Sequence, residues 1–376
     1  MSQSEINSMK QPTLLVMAGG TGGHIFPGLA VADELKAQGW NIHWLGTADK
    51  MEAKIVPEHG FDISFLNISG LRNKGMMSLL TMPFKLLQSL LQARQVFKKI
   101  KPDVVLGMGG YASAPGGLSA WLGNIPLIIH EQNAAAGLSN RLLAKFADKV
   151  CCAFPNAFSE NIKAEVVGNP LRATIGSEQL KSEEREQTSK NILVVGGSLG
   201  AQVLNKTVPE SYKQLLKADD GFCIWHQTGA GNQTQVISAY SDNDIATEKV
   251  KVTEFISDMA AAYHWADVVI CRAGALTVSE LAMAATPAIF VPLPHAVDDH
   301  QTKNALYLVE QGAAKLLPQA QLSKESISLL ITELFKGEQV LKDMAKAALA
   351  AANGDASQKV AKLCQQLVSA ETVNRK

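Results

Sequence analysis

TLLVMAGGTGGH, residues 13–24, is a short apolar run that breaks into a turn of glycines, and GLAVADELKAQG, starting at Gly28 after Pro27, has helical spacing. A buried-type strand, a Gly-rich turn and a helix in that order open a strand-helix-strand unit. The same plan returns roughly half a chain later as NILVVGGSLGAQ, residues 191–202. Between and beyond these two stretches, LLVMA, NIHWLG, DISFLNI, DVVLGM, IPLIIHE and KVCCAF alternate with helix-length segments. NILVVG, FCIWHQTG, KVKVTEFI, DVVICRAG and PAIFVPLP do so again in the second half. Short apolar strands separated by helices indicate parallel sheets covered on both faces. The predicted class is α/β, with two doubly wound Rossmann-like domains and ligands at the carboxyl ends of the strands. SEQLKSEEREQTSKN at 177–191 is charged, polar and nearly free of large apolar residues, as an exposed connection is. The expected domains are therefore 1–170 and 171–355, with a C-terminal helix of about 356–376 packing back on the first.

The length of 376 residues suits two domains at ~150 residues each. With 47% hydrophobic and 19% charged residues the chain can bury ordinary cores. Thirty-five basic residues balance 35 acidic ones, which argues against a protein whose whole surface grips nucleic acid. Five scattered cysteines without a CxxC pair read as reduced thiols. The polar N-terminus lacks the plan of a signal peptide. The longest uncharged run, Val104 to Ile129, is broken by GMGG, PGG and NIP, so it reads as strand, loop, helix and strand, and no transmembrane segment is predicted.

In GGTGGH the glycines let a phosphate or sugar approach backbone N–H groups at a helix N-terminus. A plain tight turn and a dinucleotide fingerprint compete with that reading. The fingerprint is the weaker, because the spacing is not GxGxxG and the second strand ends in WLGT without an acidic residue for a ribose diol. His24, just after the glycines, is either structural or a proton acceptor for a sugar hydroxyl. GMGGYASAPGG at 107–117 and His130-Glu131-Gln132-Asn133 end two further strands, and three polar loops on one rim make a site. Glu131 reads either as a carboxylate at a helix N-terminus or as a base. Gly196 to Gly200 has the geometry of a phosphate cradle, yet no Lys-Ser/Thr pair follows, so it is no nucleotide-hydrolysing P-loop. After DVVIC, Thr277 and its neighbouring amides can hold a diphosphate and Glu280 can accept from a ribose diol. The alternative is a capping box, with Thr277 as N-cap and Glu280 three residues on. Asp242-Asn243-Asp244 lies in a polar run away from any strand end, and Asp298-Asp299-His300 has no second cluster, so no metal is assigned.

From Ile63 to Pro102 there is no acidic residue, while Arg72, Lys74, Lys85, Arg94, Lys98, Lys99 and Lys101 are basic. Met76, Met77, Leu80, Phe84 and several leucines are interleaved, more than one buried stripe needs. This reads as an interfacial patch for an anionic bilayer, or as a core helix with a solvated basic face. Each basic residue near an anionic surface contributes ~1 kcal/mol. The overall neutrality is thus a cancellation: residues 1–170 hold 15 basic and 12 acidic side chains, residues 171–376 hold 20 and 23.

GGTGGHIFPGLAVA, GMGGYASAPGG, HEQNAAAGLSNR, GNPLR, GGSLGAQ, TEFISDMAAAY and CRAGALTVSELA, in this order, resemble the undecaprenyldiphospho-muramoylpentapeptide beta-N-acetylglucosaminyltransferase family over about residues 13–310. The resemblance implies the GT-B fold, in which two Rossmann-like domains face across a cleft, and inversion at the anomeric centre with no metal and no cofactor. It implies UDP-N-acetylglucosamine (UDP-GlcNAc) as donor and lipid I, the undecaprenyl-diphosphate-linked muramoyl pentapeptide, as acceptor, giving lipid II for peptidoglycan. It places the protein peripherally on the cytoplasmic face of the bacterial inner membrane, against anionic lipids, with cell-wall synthesis proteins as candidate partners. Carried over by motif, Thr21, Gly22, Gly23 and Asn133 face the transferred sugar. Arg172 and Ser198 meet the donor nucleotide, and Ile256 presents backbone atoms to uracil. Ala275, Leu276, Thr277, Val278, Ser279 and Glu280 take the diphosphate and ribose, and Gln301 the sugar hydroxyls. His24 is the first choice of base and Glu131 the second. Two rival functions are a GT-B UDP-sugar 2-epimerase or other lipid-directed transferase, and a non-catalytic UDP-sugar-binding scaffold.

Overall fold

The structure is a computed structural model that describes residues 11–68, 76–172, 175, 189–242, 245, 247–294 and 296–374. The chain divides into two compact units, Met1–Arg172 with Asp355–Lys376, and Ala173–Gly354.

The first unit is built on a parallel sheet of seven strands: β1 (Thr13–Ala18), β2 (Asn41–Gly46), β3 (Asp62–Phe65), β4 (Val104–Gly109), β5 (Leu127–Glu131), β6 (Lys149–Cys152) and β7 (Glu165–Val166). Their order across the sheet is 3-2-1-4-5-6-7, so the winding reverses between β1 and β4, where a doubly wound sheet opens a crevice at its carboxyl edge. Every residue of β1, β4 and β5 is buried, which is why these strands read as apolar runs, ended in β5 by His130 and Glu131, and not as alternating ones. Alternation decides which layer each side chain feeds. Leu14, Val16 and Ala18 point into one core with Trp44 and helix α1 (Gly22–Ala37), where the C-terminal helix Ala356–Asn374 adds Val360, Ala361 and Cys364. Leu15 and Met17 point into the other, with Ala93 and Phe97 of α3 (Met76–Ile100). Helix α2 (Glu52–Glu58) follows β2, α4 (Ser113–Leu122) follows β4, and α5 (Leu138–Leu143) follows β5. The uncharged run from Val104 to Ile129 is thus a strand, a helix and a strand, and among the described residues no helix is long and apolar enough to cross a membrane.

The second unit repeats the winding with six parallel strands, β8 (Lys190–Val195), β9 (Phe222–Gln227), β10 (Val250–Thr253), β11 (Val268–Cys271), β12 (Ala288–Phe290) and β13 (Ala314–Leu316), ordered 10-9-8-11-12-13. Its helices are α6 (Gln202–Ala218), α7 (Gln233–Ser241), α8 (Met259–Trp265), α9 (Ala275–Met283), α10 (His300–Val309), α11 (Lys324–Leu334) and α12 (Glu338–Ala350). Leu204, Val208, Tyr212 and Leu215, spaced at helical period along α6, meet Ile192, Val194 and Ile224 of the sheet.

One device recurs at the amino edges of both sheets. Asp103, Asp148 and Asp267, each just before a strand, accept hydrogen bonds at 2.8 Å from the backbone N–H of Thr13, Leu127 and Asn191 on neighbouring strands. The acidic residue heading DVVLGM and DVVICRAG therefore pins strand register, and the opposite, carboxyl edge carries the Gly-rich loops.

Candidate active site

At the carboxyl edge of the first sheet, the loop after β1 is locked to its neighbours backbone to backbone. Gly110, with φ of 93°, lies so close to this loop that a Cβ there would meet Gly19 O at 2.5 Å. The indole Nε1 of buried Trp44 donates to Ala18 O at 2.7 Å and fixes the end of β1. Helix α1 then begins at Gly22 with Thr21 as an extended N-cap that makes no side-chain cap bond. The amides of Gly22 and Gly23 head this helix, where its dipole favours negative charge.

His24, in the first turn, is half-buried, and its Nδ1 lies 3.0 Å from Gly19 O. A carbonyl oxygen only accepts, so Nδ1 carries the proton of the neutral ring and Nε2 its lone pair. The ring edge lies over Gly109, where a Cβ would stand 3.0 Å from Nε2. Gly109 has φ of 102°, a backbone that favours glycine, and this leaves room for the imidazole. The GNPLR segment brings Arg172 to the same helix, its guanidinium 4.1 Å from the Phe26 ring centroid.

Glu131 ends β5 and is 3% exposed. Its Oε1 accepts from Asn133 N at 3.0 Å and Asn133 Nδ2 at 3.1 Å; its Oε2 accepts from Gly137 N at 3.0 Å and Asn140 Nδ2 at 2.9 Å. Four donors close the HEQNAAAG loop around this carboxylate, an arrangement that gives Glu131 a structural part in the loop. Both oxygens are engaged inside the protein, and the group holds Asn133 in place. His130 is fully buried, its Nε2 donating to Gly168 O at 2.8 Å, and burial pushes its pKa down to about 4. It stays neutral and ties β5 to the start of GNPLR.

Sequence reasoning missed Glu52. The end of β2 has no acidic residue of its own, yet Glu52, opening α2, reaches back beneath it, 1% exposed. Its Oε1 accepts from Thr47 N at 3.0 Å and Thr47 Oγ1 at 2.7 Å, and its Oε2 accepts from Gly20 N at 2.9 Å.

The second sheet carries its own set of carboxyl-edge loops. Gly197 and Gly200 have φ of 83° and 75°, and a Cβ on Gly200 would overlap Thr228 O at 2.0 Å, so the loop bearing Ser198 lies flat on the loop after β9. Gln227 clamps it, donating from Nε2 to Gly197 O at 3.0 Å and accepting from Gly197 N at 3.0 Å. Ser198 and Leu199 are exposed at its tip. Beyond β10, Phe255 is exposed and Ile256 buried.

After β11 the chain takes an extended N-cap at Gly274, φ −63° and ψ 142°, and α9 starts at Ala275. This overturns the capping-box alternative: Thr277 is already the third helical residue and Glu280 lies in the second turn. The amides of Leu276 and Thr277 head the helix with no side-chain cap, and Val278 N donates to Gly274 O at 3.0 Å. Ser279 and Glu280 are half-buried. Glu280 Oε2 accepts from the Tyr263 hydroxyl at 2.9 Å, a second partner that the sequence did not reveal. Burial pushes the Tyr263 phenol well above its ordinary pKa, so it remains a donor. Gln301, in the first turn of α10, accepts from Leu293 N through Oε1 at 2.9 Å. Just before it, Asp298 and Asp299 take left-handed conformations with φ of 54° and 51°.

Among the described residues no group of three or more His, Cys, Asp or Glu side chains could hold a metal ion. Asp242 caps the C-terminus of α7, and Asn243 and Asp244 lie outside the described residues. Of the basic-apolar segment, Arg72 and Lys74 also lie outside them, and Met76, Met77 and Leu80 fall within α3. Farther along α3, Ser89, Ala93 and Phe97 are buried at spacings of four, while Phe84, Leu87 and Leu91 are 76%, 55% and 53% exposed. On a helix of 3.6 residues per turn these three lie opposite the buried stripe. The outward face is therefore apolar and carries Lys98, while Lys85, which continues the row of Ser89, Ala93 and Phe97, and Lys99 are exposed elsewhere on the same helix. Trp121, Leu122, Leu138 and Leu142 of α4 and α5 are exposed too.

Residues 14–152 match the glycosyltransferase family 28 N-terminal domain and residues 191–366 the glycosyltransferase family 28 C-terminal domain. A UDP-N-acetylglucosamine--N-acetylmuramyl-(pentapeptide) pyrophosphoryl-undecaprenol N-acetylglucosamine transferase from Colwellia psychrerythraea is 74% identical over 358 residues, covering 94% of this chain and 92% of that protein. A protein of the same description from Aeromonas hydrophila is 55% identical, covering 96% and 98%. The crystal structure of Acinetobacter baumannii MurG superposes with a TM-score of 0.82 at 42% identity, covering 94% of this chain and 99% of that one. A UDP-GlcNAc 2-epimerase from Neisseria meningitidis, solved with UDP-GlcNAc, shares the fold with a TM-score of 0.66 at 15% identity.

Proposed function

The chain belongs to glycosyltransferase family 28, and from that premise we propose that it transfers N-acetylglucosamine from UDP-GlcNAc to the 4-hydroxyl of the muramoyl sugar of lipid I, making lipid II. The observation that carries the chemistry is the His24 imidazole, tied through Nδ1 to Gly19 O beside a helix N-terminus, with the Nε2 lone pair as its proton acceptor.

The reaction is one in-line displacement. His24 Nε2 takes the proton of the acceptor hydroxyl, whose oxygen forms the new bond to the anomeric carbon. The bond from that carbon to the β-phosphate oxygen breaks with its electron pair, and UDP leaves from the opposite face, inverting the centre. Thr21, Gly22, Gly23 and Asn133 present amides and a carboxamide to the sugar, with Glu131 holding Asn133. The α9 amides from Ala275 to Thr277, with Ser198 and Arg172, stabilise the charge that grows on the diphosphate. Such aligned donors are worth ~3–4 kcal/mol of barrier for each one essential to the transition state. Glu280 binds the ribose diol from the second turn of α9, flanked by Val278 and Ser279. Ile256 offers its backbone to uracil, and Gln301 Nε2 meets the sugar hydroxyls. No step needs a metal or a cofactor.

The outward face of α3 docks the protein on the cytoplasmic face of the inner membrane, where a lipid-linked acceptor resides. The support is its apolar Phe84, Leu87 and Leu91 with Lys98, and the exposed Lys85 and Lys99 elsewhere on the same helix. Other cell-wall synthesis proteins would meet the enzyme there.

Replacing His24 with Ala is expected to lower turnover by roughly 100-fold or more while leaving UDP affinity, which rests on Arg172 and second-unit residues and not on the imidazole, nearly intact. Undiminished turnover in that variant would sink the base assignment.

A further inference from the structure

The peptide group between Gly19 and Gly20 is gripped at both ends. Its carbonyl oxygen faces His24 Nδ1 at 3.0 Å, and its N–H donates to Glu52 Oε2 at 2.9 Å. Glu52 arrives from another element 32 residues later, is 1% exposed, and accepts at its other oxygen from both Thr47 donors. All three partners donate, so the side chain serves here only as an acceptor. The surroundings are shaped around it: a Cβ on Gly19 would lie 2.3 Å from Glu52 Oε1, and one on Gly46 would lie 2.7 Å from Glu52 Cγ. Burying a carboxylate is costly unless its hydrogen bonds are made.

Resting on the reading of His24 as the base, we infer that Glu52 is a positioning residue for His24, acting through the single peptide group between Gly19 and Gly20. Because both flanking residues are glycines, the torsions of that peptide do not themselves fix its direction, which is set by what its two ends meet. Turned over, it would offer an N–H to the ring, and the neutral imidazole would have to accept at Nδ1 and carry its proton on Nε2. That tautomer cannot take a proton from an acceptor hydroxyl. The turn would also bring the Gly19 carbonyl against the Glu52 oxygens, acceptor against acceptor. Glu52 thus sets the direction of the peptide, and the peptide sets the tautomer. When Nε2 takes the proton the ring becomes a cation, and its Nδ1–H bond to Gly19 O becomes charge-assisted, with the peptide dipole already aligned. The arrangement is a carboxylate orienting a histidine, as in a hydrolase triad, with a peptide group interposed.

The test is nitrogen NMR of the full chain with 15N-labelled histidine, at a pH where the ring is neutral. The His24 signals are identified by their loss in His24→Ala. The wild type is expected to show protonated Nδ1 and unprotonated Nε2. Glu52→Gln places an NH2 against one set of the donors, and a mixed or Nε2–H tautomer is expected. Turnover should fall ~10–100-fold, the range for partners that orient a reacting ligand, with UDP affinity within about twofold of wild type. Glu52→Asp, which keeps the charge and withdraws it by one methylene, should shift the tautomer in the same direction to a smaller extent and serves if the Gln variant does not fold. An Nε2–H tautomer in the wild type, or an unaltered tautomer in either variant, overturns the inference and leaves the base assignment standing. Undiminished turnover in His24→Ala sinks the base assignment whatever the tautomer shows.

Discussion

Replacing Glu131 by Gln keeps the size and shape of the side chain and changes only what it can accept. In the native loop Oε1 takes two donors from Asn133, and Oε2 takes one each from Gly137 and Asn140, at 2.9–3.1 Å. A carboxamide must turn its NH2 toward one of these pairs, so two donors lose their acceptor and face another donor. The site is 3% exposed, and water has little access to substitute. At ~1–3 kcal/mol for each buried group left unsatisfied, the variant should lose ~2–6 kcal/mol. A domain typically has only about 5–15 kcal/mol in total. Urea unfolding followed by tryptophan fluorescence reads this directly, since Trp40, Trp44 and Trp121 report on the first unit. At a slope of ~2 kcal/mol per molar urea, the midpoint of the first-unit transition should fall by about 1 M or more. His24→Ala should unfold close to the wild-type midpoint. A Glu131→Gln protein that unfolds as the wild type does but no longer turns over would mean that Glu131 serves as the chemical base, and the scaffold argument would be wrong.

Tyr263→Phe removes the hydroxyl that holds Glu280 Oε2, and should raise KM for UDP-GlcNAc by ~2–10-fold with kcat little changed, measured by steady-state kinetics. Acid should destabilise both units through buried neutral histidines. His130 is held near 4 and His226 near 3, against 6.5 for an ordinary imidazole, so the unfolded chain binds the extra protons first. Stability present above pH 6.5 falls as the pH drops, and levels off for His130 below about 4 after a loss of ~3 kcal/mol. Chemical denaturation between pH 7.5 and 4 checks the sign, which stability rising toward acid would contradict. Changing Phe84, Leu87 and Leu91 together to Ser should abolish cosedimentation with anionic vesicles while leaving turnover of a water-soluble acceptor near wild type. Unchanged cosedimentation would make that face a solvated one.

The sheets were legible because their strands are buried on both sides and so carry an apolar run that ends in glycines, as β1, β4 and β8 do. The same glycines marked the carboxyl rim, where loop contacts such as Gly110 on Gly19 leave no room for a Cβ. The start of α9 was not legible. Its N-cap, Gly274, has no side chain to announce it, whereas Thr277 and Glu280 three residues later imitate a capping box. Glu52 was hidden for another reason: it sits in the ordinary polar stretch ADKME, and only tertiary reach brings it under Gly20 and Thr47. Tyr263 is likewise joined to Glu280, 17 residues away in the chain, only once the second unit has folded. Glu131 could be seen to matter, but not how, because its four donors converge only when the loop from Asn133 to Asn140 closes. On α3 the sequence showed an excess of apolar residues, and the burial of Ser89, Ala93 and Phe97 decided which of them face outward.

Incubation of the full chain with UDP-GlcNAc labelled in the sugar and a soluble lipid I analogue, with NMR analysis of the product, separates sugar transfer from epimerisation and from binding alone. One UDP should be released for each β-linked disaccharide formed at the muramoyl 4-hydroxyl. A sugar nucleotide epimerised at C2, an α-linked product, or binding of UDP-GlcNAc without any transfer would contradict the proposed reaction.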